Sequence, residues 1–198
     1  MENDDSTSNP SILLRQVAAG DQAAFKEIYT CHYKSLYQFA LAIVRTRDAA
    51  EEIVQNVFIR IWQRRTQLPP IQNLRVYLYT ATKNTSLNYL SRKATENITQ
   101  SFDHISIGII GSVITPEEIM ISDETDRKIH QAVDALPPRC KMIFKLIRED
   151  GLKYKEVSQI LNIAVNTIDV QMAIAVKRIA AALAVETGML VQHKSGLK

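Results

Sequence analysis

Side chains that can bond DNA bases lie close together near the carboxyl-terminal end of the sequence. In the segment YKEVSQILNIAVNTIDVQ, from Tyr154 to Gln171, polar residues follow a short apolar helical pattern. Asparagine and glutamine can bond adenine in a bidentate manner, threonine can pack on a thymine methyl, and lysine can meet phosphate. The segment and the lysines on either side of it therefore predict a surface that reads duplex DNA. Its residues are Lys153, Lys155, Asn166, Thr167, Asp169, Val170, Gln171 and Lys177.

A second group of residues has the chemistry that binds an unpaired strand. Residues 53–95 contain no acid and 7 bases, and within them basic residues alternate with tyrosines. Cationic groups hold a nucleic-acid backbone, while aromatic surfaces stack on its bases. Helical spacing cannot expose every tyrosine, and Tyr79 is expected to be buried. A solvated helix face is the alternative reading of this basic run.

The sequence contains few features that are typical of an enzyme. It has no phosphate-binding glycine loop, no HExxH and no GxSxG, and its 4 histidines are scattered singly. Cys31 and Cys140 are far apart and lack metal-ligand spacing, so we expect two buried thiols, no disulfide, no metal and no cofactor. No apolar run approaches the ~20 residues that span a bilayer. We therefore expect a non-catalytic cytoplasmic protein.

The composition favours an all-α fold. The chain of 198 residues is 46% hydrophobic and has only 6 glycines and 6 prolines, too few for a turn-rich β fold. In the first part, Asp21 is a candidate N-cap, a second helix starts at Asp48, and a third runs from Asn73 to about Lys93. These elements predict a helical domain over residues 11–93.

Residues 94–122 predict a flexible linker because helical periodicity is lost there and no base occurs. A second small helical domain follows over residues 123–185. Its helices are expected at 123–135, 138–149, 154–161 and 165–184, with a frayed tail from Glu186. The acidic residues of the linker suit a basic channel better than DNA; they include Asp103, Glu117 and Glu118.

The last two helices predict a helix-turn-helix. Each has an apolar stripe at helical spacing: Val157, Ile160 and Leu161 on the first, and Ile168, Met172, Ala175 and Ile179 on the second. Asn162 lies at the turn and tolerates the left-handed conformation, while Ile163 would fill the space between the helices. Similar helical hairpins also occur in bundles that bind no DNA.

Taken together, LPPRCKMIFKLIREDGLKYKEVSQILNIAVNTIDVQM resembles the promoter-reading domain of extracytoplasmic-function (ECF) sigma factors, in particular the type abundant in Bacteroidetes. In the first domain, RDAAEEIVQNVFIRIWQRR is similar to the polymerase-binding helix of that family. LRVYLYTATKNTSLNYLSRK is similar to its promoter-melting helix. The segments occur in family order.

The resemblance implies a protein that binds core RNA polymerase and promoter DNA and is held by an anti-sigma factor, commonly membrane-anchored. It implies polymerase contacts at Glu51, Glu52, Gln55 and Asn56. It implies contacts with the −10 element and the melted strand at Arg75, Tyr77, Lys83, Asn84, Thr85, Arg92 and Lys93.

Five positions depart from the family pattern. Asn56 replaces a frequent glutamate, and Ala164 replaces the serine that starts the recognition helix. Where many members carry basic residues further on, this chain has Asp169, Ala173 and Ile174. The changes leave the fold prediction intact but weaken the predicted −35 contact. The alternative is a conventional helix-turn-helix regulator that binds duplex as a dimer, which explains the second domain but not the acid-free first one.

Overall fold

The computed structural model describes residues 10–96 and 124–194, and every regular element in these ranges is helical. Contacts group the chain into two compact units, residues 1–104 and 105–198. The prediction of an all-α fold with two small helical domains is therefore confirmed. Most of the predicted linker, with Asp103, Glu117 and Glu118, lies outside the described residues, so the limits 11–93, 94–122 and 123–185 stay predictions.

Four helices and a short 3₁₀ turn form the first unit. The helices are α1 (Pro10–Ala18), α2 (Gln22–Val44), α3 (Arg47–Gln63) and α4 (Leu74–Glu96), with the turn at Arg65–Gln67. Helix α2 packs against both α3 and α4, and α1 closes one side against α2 and the turn. The Asp21 carboxylate accepts hydrogen bonds from the amides of Ala23 and Ala24, which confirms the predicted N-cap.

Aliphatic and aromatic side chains fill the first unit. Ile28, Leu36, Ile53 and Leu78 are each at least 98% buried, and full burial of such a side chain contributes about 1.5–3 kcal/mol. The Phe25 ring lies 5.0 Å from that of Trp62, which holds the start of α2 against the end of α3. Two of the hydroxyls buried on α4 donate back to carbonyls of the preceding turn, Thr82 to Leu78 and Ser86 to Thr82.

The second unit contains α5 (Glu124–Asp134), α6 (Pro138–Arg148), α7 (Tyr154–Leu161) and α8 (Val165–Lys194). Helix α8 packs against the other three, so its inner stripe organises the core of the unit. At the junction of α5 and α6, the buried Lys141 ammonium lies 2.6 Å from the Asp134 carboxylate. The same ammonium donates to the Asp134 carbonyl, which satisfies an orphan acceptor at the end of α5.

The structure corrects several sequence expectations. Helix α1 begins at Pro10 rather than Ser11, and α3 begins at Arg47, one residue before the predicted start. Helix α8 continues to Lys194, so the prediction that its helical part ends near residue 184 was wrong. Cys31 is exposed rather than buried, whereas Cys140 is buried as expected.

Candidate polymerase and nucleic-acid interfaces

Helix α3 has one buried face and one polar outward face. Its inner stripe contacts α2 and α4, and this leaves Glu51, Glu52 and Gln55 exposed and Asn56 half-buried. The Gln55 side-chain amide donates to the Glu51 carboxylate at 3.1 Å, so the two side chains support each other across one helical turn. The structure thus brings the predicted polymerase-binding residues onto one accessible surface.

Ile59 extends that surface and was missed by the sequence analysis. It lies one helical turn after Gln55, and its side chain is 52% exposed. Its position outside the apolar stripe of Val54, Val57, Phe58 and Ile61 was the available signal. An exposed isoleucine two helical turns after the two exposed carboxylates gives α3 both an apolar and a charged outward component.

A row of half-buried tyrosines on α2 borders the same surface. The ring centroids of Tyr29 and Tyr33 are 5.0 Å apart, and those of Tyr33 and Tyr37 are 6.2 Å apart. Burial, and secondarily the negative charge of Glu51, raises the pKa of the Tyr33 hydroxyl above 10.0. The tyrosine row therefore lies within electrostatic reach of the α3 face.

Helix α4 turns a polar, acid-free face outward. Asn84, Arg92 and Lys93 are exposed, whereas Arg75 and Lys83 are half-buried. Two larger side chains add apolar surface, since Tyr77 is 36% exposed and Leu87 is 43% exposed. This combination of cationic, amide and apolar groups can hold a nucleic-acid backbone and contact its bases.

Two of the residues considered in the sequence analysis lie on the inner, buried face of α4. Tyr79 is only 1% exposed, which confirms that it belongs to the core. Thr85 is 8% exposed, so a direct DNA contact through its side chain is not supported. The reason is its helical register, because Thr85 lies three residues after buried Thr82 and seven after buried Leu78.

Helices α7 and α8 form the predicted helix-turn-helix. They meet at an angle of 110°, within the range usual for this motif. Asn162 has the left-handed conformation, with φ 54° and ψ 53°, as predicted. The Ser158 hydroxyl donates to the Ile163 carbonyl at 2.6 Å, and the Lys153 amide donates to the Glu156 carboxylate at 2.7 Å. These bonds fix the geometry of the turn and of the start of α7.

Helix α8 is fixed by its inner side chains. Ile168, Met172 and Ala175 are buried, and the Cys140 thiol donates to the Gln171 carbonyl at 3.2 Å. Burial raises the pKa of Cys140, with the nearby charge of Arg178 acting in the opposite direction. The thiol is therefore held protonated, as a donor, against the helix that carries the predicted base-reading residues.

The predicted DNA-reading residues are not equally accessible. Thr167 and Gln171 are half-buried where α8 meets the body of the unit. The remaining side chains are exposed, and they are Lys153, Lys155, Asn166, Asp169, Val170 and Lys177. The first two turns of α8 therefore present Asn166, Asp169 and Val170 most directly to a groove.

Within the described ranges, no group of three or more His, Cys, Asp or Glu side chains could hold a metal ion. Among the same residues, no single helix is long and apolar enough to cross a bilayer. Helix α7 and the first part of α8 reach that length and hydropathy only when the bent pair is taken together.

Comparison with known families matches both units. The model for sigma-70 region 2 matches residues 28–96, from α2 to the end of α4. The model for sigma-70 region 4 matches residues 126–179, which include the helix-turn-helix. The two models follow each other in chain order and together cover the α3 face, the α4 face and the helix-turn-helix.

Curated relatives align across both units. The ECF RNA polymerase sigma-E factor of Escherichia coli is 25% identical over 163 residues, covering 79% of this chain and 85% of that protein. The ECF RNA polymerase sigma factor SigW of Bacillus subtilis is 26% identical over 166 residues, covering 78% and 86%.

Two solved structures share the fold. The sigma factor RpoE, solved with the anti-sigma factor NepR from Bartonella quintana, has a TM-score of 0.60 and 21% identity, and 81% of this chain and 97% of RpoE are covered. CnrH, solved with the cytosolic domain of CnrY, has a TM-score of 0.56 and 18% identity, with 88% and 97% covered.

The described residues form helices, with outward carboxylates on α3, exposed bases on α4 and a helix-turn-helix, and this is the architecture of a two-region transcription initiation factor. Since both sigma-70 regions and curated ECF proteins match it in order, the chain belongs to the ECF group of sigma-70 factors. It is an alternative sigma factor that directs transcription initiation.

Proposed function

We propose that this sigma factor binds core RNA polymerase through α3, captures the melted −10 region on α4, and contacts −35 duplex through α7 and α8. The observation that carries this proposal is the order of three accessible surfaces along the chain, each with chemistry suited to its partner. Sigma factors are regulatory rather than catalytic proteins, so the covalent chemistry belongs to the polymerase.

The polymerase contact is assigned to Glu51, Glu52, Gln55 and Asn56. Their outward placement on a helix whose other face is buried supports a docking surface, because binding there requires no change in the core. Two carboxylates and, two helical turns later, the exposed Ile59 suit a partner surface that combines basic and apolar groups. Asn56 contributes an amide in place of the frequent glutamate, so this contact surface carries one negative charge fewer.

The −10 contact is assigned to the outward side of α4. Arg92 and Lys93 are placed to bind backbone phosphates, and Asn84 can bond a base edge. Tyr77 and Leu87 offer surface against which an unstacked base can lie. The half-buried Arg75 and Lys83 add positive charge at the margins of this face.

The −35 contact is assigned to the second unit. Lys153 and Lys155 lie at the start of α7, where they can meet phosphate, while α8 enters the major groove by its first turns. Lys177 lies three turns into α8 and suits a further phosphate. The bent helix pair and the left-handed Asn162 are the geometric support for this assignment.

The proposed partners place the protein in the cytoplasm, where polymerase and chromosome are found. The relatives solved in complex with NepR and CnrY support a protein regulator of this chain, and a membrane-anchored anti-sigma factor is the form we propose. The resemblance of the segment LPPRCKMIFKLIREDGLKYKEVSQILNIAVNTIDVQM supports assignment to the type abundant in Bacteroidetes.

Run-off transcription with purified core polymerase tests the proposal. The full chain is expected to produce discrete new transcripts from a promoter library, and the double variant Glu52→Ala, Gln55→Ala is expected to lose them. A matched control is Gln22→Ala, Glu27→Ala, which removes an exposed amide and carboxylate from α2 instead. Duplex binding by the protein alone without any transcript would favour the conventional regulator.

A further inference from the structure

Asp169 is an unusual residue for a DNA-contacting surface. Its side chain is exposed on the second turn of α8, between the exposed residues Asn166 and Val170. In the part of the chain that the structure describes, no hydrogen bond or ion pair engages its carboxylate. A negative charge facing phosphates weakens binding unless it meets a hydrogen-bond donor.

The major groove offers few such donors. Only the N4 amine of cytosine and the N6 amine of adenine point hydrogens into it, whereas guanine and thymine present acceptors to a side chain there. A carboxylate accepts and cannot donate, so it rejects guanine O6 and N7 and thymine O4. Adenine also presents its N7 acceptor beside the amine, which leaves cytosine as the best match for Asp169.

Val170 supplies the neighbouring apolar contact. Its side chain is 57% exposed, the highest value among the exposed large hydrophobic residues described. The only apolar group that distinguishes a base edge in the major groove is the thymine methyl. Asn166 and Val170 are four residues apart, about 6 Å along the helix axis, so this face spans roughly two base-pair steps of about 3.4 Å each.

We infer that Asp169 and Val170 determine base specificity at the −35 element, with Asp169 selecting cytosine and Val170 selecting a thymine within one or two base pairs of it. The inference rests on the proposed function, since it assumes that α8 lies in the major groove. It also gives the departure of Asp169 from the basic family pattern a role: the carboxylate lowers general affinity, but at one position it rejects guanine and thymine and favours cytosine over adenine.

The test is selection of −35 sequences by the polymerase holoenzyme. Promoter fragments randomised over that element are transcribed with the wild-type chain, Asp169→Asn or Val170→Ala, and the templates are sequenced. Asp169→Asn is expected to move the preference at one position from cytosine to adenine, which asparagine bonds in a bidentate manner, with a change on the order of tenfold.

A base analogue isolates the Val170 contact. Replacing the selected thymine by deoxyuridine removes only the methyl group, so it should weaken the wild-type complex severalfold and leave Val170→Ala unaffected.

The charge-matched control for Asp169→Asn is Glu149→Gln, which removes one exposed carboxylate from the end of α6. It should leave every base preference unchanged.

Two results would overturn the inference, and they differ from failure of the proposed function. If Asp169→Asn strengthens all sequences equally, its carboxylate only repels DNA and selects nothing. If deoxyuridine affects the wild type and Val170→Ala alike, Val170 does not contact the methyl. Absence of any wild-type transcript or selected −35 sequence would instead remove the proposed function, and the inference with it.

Discussion

Burial of His32 gives the stability of the first unit a dependence on pH below neutrality. It lies half-buried on α2, where burial, and to a smaller extent the positive charge of Arg75, lowers its pKa below 6.5. In the unfolded chain the imidazole returns to its ordinary value, so the unfolded state binds more protons in the interval between the two pKa values. The free energy of unfolding therefore falls as the pH decreases from about 6.5 through the lower folded pKa.

His32→Gln should reduce that pH dependence, because glutamine cannot be protonated. Urea unfolding can be followed at pH 7.5 and 5.5 through the fluorescence of Trp62, the only tryptophan, which lies in the same unit. The wild type should lose more stability than the variant between the two pH values. The control His130→Gln changes an exposed histidine of the other unit and should behave as wild type. Equal pH dependence in all three proteins would contradict the role of His32.

Exposure of individual residues was predictable where their helical register was clear. Tyr79 was placed in the core because three tyrosines of one helix cannot all face solvent, and it is buried. Cys31 was wrongly predicted to be buried, because the prediction relied on the usual burial of cysteine and not on helical register. Glu27 and Lys34 lie on the same helix face as Cys31, and both are exposed. Thr85 was misplaced because family position says nothing about which atoms of a small side chain reach the surface.

At the scale of elements, helix termini that carry a capping residue were predicted better than termini without one. Caps have local chemical signatures, as Asp21 and Asn162 show. The end of α8 has none, since the helix continues through Gly188 to Lys194; one interior glycine costs only about 1 kcal/mol, too little to end a helix by itself. The exposed Ile59 was missed although periodicity places it outside the apolar stripe of α3, because an isoleucine has no charge or hydrogen-bonding group that would mark it as a contact residue.

The start of α8 offers a gain in stability. Ala164 directly precedes the helix, and its carbonyl accepts from the Thr167 amide, but its side chain has no oxygen for the free amides of the first turn. Ala164→Ser should stabilise the second unit by about 1 kcal/mol through an N-cap hydrogen bond. Hydrogen exchange of the first-turn amides of α8 and the calorimetric unfolding temperature would report the change.

Ala173→Ser provides the control for that substitution within the same helix. Ala173 is exposed in the interior of α8, where serine has no free amide to cap and a lower helix propensity than alanine. It should leave first-turn protection unchanged and slightly lower the unfolding temperature. Equal protection in both variants would show that the N-cap position of α8 is already satisfied.

For the whole molecule, the division of charge matters more than the net value of +3. Both units carry exposed bases. Those of α4 lie within the acid-free run of residues 53–95, whereas those of α7 share the helix-turn-helix with Glu156 and Asp169. Unpaired strands need continuous positive surface, while a groove-reading helix can tolerate an acid that meets a donor. We therefore expect removal of charge from the two units to impair different steps of initiation.

The matched pair Arg92→Gln, Lys93→Gln and Lys153→Gln, Lys155→Gln tests this expectation, since each variant loses two exposed positive charges. The α7 variant should lower holoenzyme occupancy of duplex promoter and reduce the slope of log affinity against log salt by about 2. The α4 variant should bind duplex nearly as well but melt less of it, seen as weaker permanganate reactivity of unpaired thymines at equal occupancy. If both variants lost occupancy and melting in the same ratio, the charges would act only as a general attraction. A separation of the two defects would instead require that each unit acts on its own form of DNA, the first on the unpaired strand and the second on the duplex.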